Sequence, residues 1–156
     1  MNNHHGPVAL VTGASSGIGE VTAKRLSEAG YRVFATRRKG GGSSGLAYEI
    51  LALDVTSDES VTSAVGEVIR REERIDLLVN NAGINLSVGG AEESSIEQAK
   101  ALFDTNFFGM VRMTRAVIPH MRQQGVGRIV NIGSVTGFMP MPFMALYSAT
   151  KHALAA

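Results

Sequence analysis

Tyr147 and Lys151 stand four residues apart in ALYSATKHALAA, residues 145–156, a spacing that puts a phenol and an ammonium on one face of a helix. A cation beside a phenol favours the phenolate, which makes the phenol a usable proton donor near neutral pH. Ser134, in NIGSV, can add a hydroxyl that hydrogen-bonds a carbonyl oxygen. Donor and polariser would then act on the same oxygen. Tyr-x-x-x-Lys alone is a cheap pattern, so the surrounding sequence has to carry the reading.

A second group of residues suits a dinucleotide. TGASSGIG, residues 12–19, places Gly13, Ser15, Ser16, Gly17, Ile18 and Gly19 between an apolar run and a helical pattern. Glycines at that junction allow a sharp turn and close backbone approach, and a helix start offers free N–H groups to a pyrophosphate. A merely tight turn is the plainer alternative. Farther on come Thr36, Arg37 and Arg38, at the end of the second apolar run, where an acid would bind the ribose 2′-hydroxyl of NAD and an arginine accommodates the 2′-phosphate of NADP. No acid is present, so NADP is expected over NAD, with a basic loop in solvent as the alternative. Asp54 and Val55, in LDV, and Asn81, Ala82 and Gly83, in NNAG, also follow apolar runs. Ligands dock at such carboxyl ends of strands, although an Asp capping its own turn and an Asn-rich bend read equally well there.

These residues need a scaffold, and the chain spells one out. Short apolar runs alternate with longer amphipathic stretches, the pattern of an α/β fold with parallel strands joined by helices. Strands are predicted at Val8–Val11, YRVFATR, YEILALDV, IDLLVNNAG and GRIVNIGS. The first helix runs from Gly17 and closes at Gly30, and Thr56 with Glu59 forms a capping box for a helix to about Glu73. Ser95 with Gln98 opens one long helix to Gly125, and a last helix begins near Ala145. KGGGSSG, residues 39–45, reads as a flexible loop. It leaves too little chain for the usual helical crossover between strands two and three, so that link must be tight or irregular.

Bulk properties narrow the functions. The 156 residues suit a single domain, 1–156. With 15 Lys and Arg against 14 Asp and Glu, nothing favours nucleic acid or an anionic membrane, and small neutral partners fit better. No cysteine is present, which excludes disulfides, thiolate metal sites and thiol nucleophiles. His4 and His5, adjacent in a polar terminus, read as a solvated tail and not a metal site. MNNHHGPVALVTG lacks a cationic segment before a long apolar stretch, and no window reaches the ~18 apolar residues of a membrane span, so a soluble, cytoplasmic protein is expected.

Taken together, TGASSGIG, LDV, NNAG, Asn106 in DTNFFG, Ser134 in NIGSV and YSATK resemble the short-chain dehydrogenase/reductase (SDR) family, in family order from Pro7 to the last residue. The resemblance implies a Rossmann-like doubly wound parallel sheet and a tetrad of Asn106, Ser134, Tyr147 and Lys151. In that tetrad Tyr147 is the acid/base, Ser134 positions the carbonyl, Lys151 holds the nicotinamide ribose and tunes Tyr147, and Asn106 anchors a proton-relay water. An Asn on an apolar helix face can also be only a structural hydrogen-bonder. Thr36 and Arg37 look like the NADP-preferring pattern, although Ser16 stands where some NADP enzymes carry a basic residue. The resemblance further implies that the rest of the last helix, two more strands and a substrate lid lie beyond residue 156, and that the complete protein is a homo-oligomer. Without those strands one sheet edge would be uncovered. TGFMPMPFMAL, between Ser134 and Tyr147, borders the substrate in such enzymes and suggests a hydrophobic ketone or alcohol, with core or subunit packing as the alternatives.

Overall fold

The computed structural model describes residues 6–41, 45–85 and 91–156; His4, His5 and residues 42–44 of the glycine-rich stretch lie outside the described residues. Five strands, β1 (Val8–Val11), β2 (Arg32–Arg37), β3 (Glu49–Ala52), β4 (Leu77–Asn80) and β5 (Arg128–Asn131), form one sheet in the order β3-β2-β1-β4-β5. Every pairing is parallel, with Leu10 opposite Phe34 on one side and Leu78 on the other. The sheet matches the expected doubly wound α/β fold. VALV and LLVN are buried throughout, as strands covered on both faces must be.

Helix α1 (Gly17–Glu28) covers one face, its Ala23 packing with Ala9, Val11, Val33, Ala35 and Val79. Gly30, at φ 89°, ends it as expected: Tyr31 N–H donates to Leu26 O and Gly30 N–H to Ser27 O, the Schellman arrangement. Helices α2 (Asp58–Glu72) and α4 (Gly109–Gln124) cover the other face, where Val61, Val65, Val68, Met113 and Val117 meet Leu10, Phe34 and Leu78. The strand β5 is less well covered. Ile129 reaches this second core, but Arg128, Val130 and Asn131 are exposed.

One helix start and one junction differ from the sequence reading. The cap of α2 is Ser57, whose Oγ accepts from Ser60 N–H at 3.2 Å, and not Thr56. Thr56 is already committed: its N–H and hydroxyl donate to Asp54 Oδ1 at 3.0 and 2.7 Å, which turns the chain after β3 and moves the cap one residue on. The Ser95–Gln98 capping box is present at the start of α3 (Ile96–Phe103). The expected single helix is interrupted, however, by a π turn at Asp104–Phe108 before α4 continues to Gly125. The turn inserts Asn106, buried, into the helical run, and periodicity alone does not reveal such an insertion.

The β2–β3 link, residues 38–48, has no helix among its described residues. Gly40 N–H and Leu53 N–H both donate to Arg37 O, which folds the chain tightly back onto the strand end. Ions then hold the edge: Arg32 pairs with Glu49 on β3 and with Glu72 at 3.0 Å, and Arg71 pairs with Glu49 and Glu67. A network spanning β2, β3 and α2 is worth more than isolated surface pairs. Helix α5 (Ala145–Ala155) closes the described chain.

Candidate active site

The glycine loop leaves β1 through Gly13, at φ 67°, a conformation that costs a side-chain-bearing residue about 1–2 kcal/mol. Sterics add to this, because a Cβ on Gly13 would lie 2.7 Å from Ala82 Cα. Gly19 is equally crowded: its Cβ would meet Asn81 Nδ2 at 2.4 Å. Gly17, at φ 59°, faces open space. Thr12 stitches loop and sheet together, its Oγ1 accepting from Asn81 N–H and Ala82 N–H at 3.0 and 2.9 Å. Asn81 Nδ2 answers by donating to Thr12 O and Gly13 O at 2.9 and 3.0 Å. Ala14 N–H donates to Thr36 O at 2.8 Å, which ties the loop to β2 as well.

Beside this loop lies a cleft of ≈ 380 Å³. It is lined by Gly13, Ser15, Ser16 and Ile18 from the loop and by Thr36, Arg37 and Arg38 from the end of β2. Asp54 and Val55 line it after β3, and Asn81, Ala82 and Gly83 after β4. Thus four strand ends bring the sequence-selected residues to one cleft, with Gly17 and Gly19 off its lining. Ser16, the residue before α1, makes no side-chain cap, so the first N–H groups of that helix have no side-chain partner from it. Arg37 Nε is buried without a hydrogen-bond partner. Asp54 carries both of its readings, since it lines the cleft while its Oδ1 shapes the turn. Hydrogen bonds from the Thr56 hydroxyl and N–H hold its carboxyl below the usual range.

The other selected residues sit nearer β5. Lys151 is buried, and burial pushes its pKa down. Its Nζ donates to Ile132 O at 2.9 Å, just beyond β5, and lies 5.8 Å from the centre of the Tyr147 ring. Ser134, two residues past Ile132, caps the 3₁₀ turn Val135–Gly137. That turn is wedged on α5, since a Cβ on Gly137 would stand 2.8 Å from Lys151 O. Asn106 Oδ1 accepts from Ile84 N–H at 2.8 Å, and its Nδ2 donates to Ile84 O and to the Thr150 hydroxyl at 2.9 and 3.1 Å. Thr150 in turn donates to Tyr147 O at 2.7 Å. Asn106 and Lys151 border a small cavity of ≈ 10 Å³, about one water in size. Ser134 and Tyr147 line neither this cavity nor the larger cleft.

Phe138, Met139, Met141 and Phe143 are exposed, which rules out their burial in the core of this chain. Phe143 also has φ 62°, a strained value for an aromatic residue. Sequence reasoning passed over Thr12, Thr136 and Thr150, whose work is done by hydroxyls in tertiary contacts. Their signal was faint: each lies within a motif already singled out for its neighbours.

A profile of the short chain dehydrogenases matches residues 7–156. The chain belongs to the short-chain dehydrogenase family. Over 148 residues this short-chain dehydrogenase is 44% identical to a 3-ketodihydrosphingosine reductase of Bacteroides thetaiotaomicron, covering 94% of this chain and 54% of the relative. It is also 37% identical over 150 residues to the NADP-dependent 3-hydroxy acid dehydrogenase YdfG of Salmonella typhi, covering 92% and 60%. Among solved structures, a short-chain dehydrogenase from Streptomyces avermitilis superposes with a TM-score of 0.88 at 38% identity, covering 99% of this chain and 58% of that one. The chain therefore spans between half and two thirds of the length of these relatives. Among the described residues, no helix is long and apolar enough to cross a membrane.

Proposed function

We propose that this short-chain dehydrogenase interconverts a carbonyl compound and its alcohol with NADP. The observation that carries the reading is the Lys151 ammonium, buried and fixed to Ile132 O beside Tyr147, one strand away from the glycine-loop cleft. A buried ammonium tied to a carbonyl is a costly arrangement, and a role beside a phenol gives a reason for it. The cleft suits the dinucleotide: Gly17 leaves space over the helix start for phosphates, and Arg37 Nε has an unused donor where a 2′-phosphate would lie. YdfG, named as NADP-dependent, supports the same choice. When bound, NADP supplies the hydride chemistry. Tyr147 gives its proton to the carbonyl oxygen on reduction and takes one on oxidation. Ser134 hydrogen-bonds that oxygen, Lys151 holds the ribose, and the water-sized cavity beside Asn106 and Lys151 supports a relay of protons to solvent.

The exposed Phe138, Met139, Met141 and Phe143 favour an apolar substrate flank. Exposed Ile96, at the start of α3, and Phe108, in the π turn, suit a homo-oligomer contact. A second reading, a dinucleotide-binding module without turnover, draws on the exposed residues of β5. NADPH oxidation across a panel of apolar ketones separates the two. Turnover supports the dehydrogenase, whereas tight NADPH binding with no ketone consumed by the full-length protein would leave only the module.

A further inference from the structure

Resting on the dehydrogenase reading above, we propose that Thr136 is a positioning residue that turns Ser134 into a one-way hydrogen-bond donor. Thr136 N–H and the Thr136 hydroxyl both reach Ser134 Oγ, at 3.2 and 2.9 Å. Thr136 is only 3% exposed, so water is no substitute partner for its hydroxyl. A buried O–H has to find an acceptor, and Ser134 Oγ is the one beside it. If Ser134 donated to Thr136 instead, the Thr136 proton would be left facing a buried surface. The direction is therefore set: Thr136 gives, Ser134 accepts. A serine oxygen has two lone pairs and one proton. With both acceptor positions filled by Thr136, the Ser134 proton has only the open side left, where a substrate carbonyl oxygen can accept it.

Capping alone explains half of this arrangement. The 3₁₀ turn Val135–Gly137 needs the bond from Thr136 N–H to Ser134 Oγ, and any residue at 136 except proline supplies it. The second bond is specific to a hydroxyl at 136. It also fixes Ser134 relative to the acid/base helix, because the same turn presses Gly137 against Lys151 O. A preorganised donor contributes more to a developing oxyanion than one that must first rotate into place.

The test uses the full-length protein with Thr136→Val, which keeps shape and backbone donor, Thr136→Ser, which keeps the hydroxyl, and Thr136→Ala should the valine variant fold poorly. Ser134 χ1, followed by NMR couplings in selectively labelled protein without substrate, is expected to be a single rotamer in the parent and Thr136→Ser, and averaged in Thr136→Val. Turnover is expected to fall about tenfold in Thr136→Val with the KM for NADPH unchanged, to return within about twofold in Thr136→Ser, and to fall no further when Thr136→Val is added to Ser134→Ala. An unchanged Ser134 rotamer in the valine and alanine variants overturns the proposal whether or not the protein is active. So does an equal loss in the Ser134→Ala background. Full turnover by Ser134→Ala would strike the carbonyl-binding role of Ser134 and this proposal with it, whereas no ketone turnover by the parent protein would strike the dehydrogenase reading.

Discussion

At the β1–β4 centre of the sheet every strand residue is buried, and Thr12, Asn81 and Ala14 bind the glycine loop to three strands through seven hydrogen bonds between 2.8 and 3.3 Å. At the β5–α5 end three of the four strand residues are exposed, as are Phe138, Met139, Met141 and Phe143. There, α5 packs on α3, the π turn and the 3₁₀ turn, and single polar contacts pin it: Lys151 to Ile132 O and Asn106 to Thr150. Both ends carry residues of the proposed machinery, but they are built differently. The nucleotide cleft is a by-product of close packing, so its shape is secured by the same contacts that secure the fold. The acid/base end relies on individual polar contacts, each of which one substitution can remove. Binding should therefore be lost together with stability, whereas chemistry should be separable from both.

The most severe test of that contrast is Tyr147→Phe. Removing the phenolic proton should cut turnover by about 10²–10⁴-fold while NADPH affinity and the melting temperature stay near parental values, as read by steady-state kinetics, fluorescence titration and thermal melts. Parallel loss of NADPH binding would mean that the two ends are not separable. Gly13→Ala should do the opposite. A left-handed alanine costs about 1–2 kcal/mol before the contact with Ala82 is added, so thermal stability and nucleotide binding should fall together. Arg37→Ala should be milder: losing one charge-assisted contact to a phosphate costs ~1.5–3 kcal/mol, about a tenfold to hundredfold loss in kcat/KM for NADPH with little change for NADH.

Asp54→Asn gives the smallest effect and sharpens the comparison through pH. The carboxyl of Asp54 titrates below its ordinary value in the fold because Thr56 donates to it twice. Between the folded and unfolded values the unfolded chain binds more protons, so this stabilisation is complete above the ordinary aspartate value of about 3.9 and fades as pH falls through the folded one. Melting temperatures from pH 6 to pH 3 should fall less steeply in Asp54→Asn than in the parent. Identical slopes would remove Asp54 from the set of residues that make the cleft sensitive to acid.

Much of this contrast could be read in the chain before any coordinates. Runs such as VALV and LLVN announce strands covered on both faces, and Gly30 and the Ser95–Gln98 box mark helix ends by local rules that hold wherever the segment lies. The cleft residues were legible because parallel sheets send their ligands to strand ends. Where the reading slipped, a side chain had a rival partner. Thr56 looked like a cap until Asp54 claimed both of its donors, and the long helix looked continuous because a π turn keeps helical dihedrals at its flanks and needs no proline or capping residue to mark it. The hydroxyls of Thr12, Thr136 and Thr150 were illegible for a further reason. Thr12 and Thr150 act across 67 and 44 residues, and Thr136 acts through a turn whose geometry has no apolar signature.

The π turn at Asp104–Phe108 leaves a mechanical mark on everything after it. One surplus residue rotates the following segment by about 100° about its own axis relative to an uninterrupted helix. Met113, Val117 and Met121 therefore point inward only because that angular offset exists. Deleting a single residue between 104 and 108 would let the helix run straight with the methionine stripe still inward, and would remove the wide turn that sets Asn106 against Ile84 and Thr150. Replacing the turn with straight helix of equal length would instead rotate the methionine stripe toward water, so the two helices and the turn between them travel as one cassette.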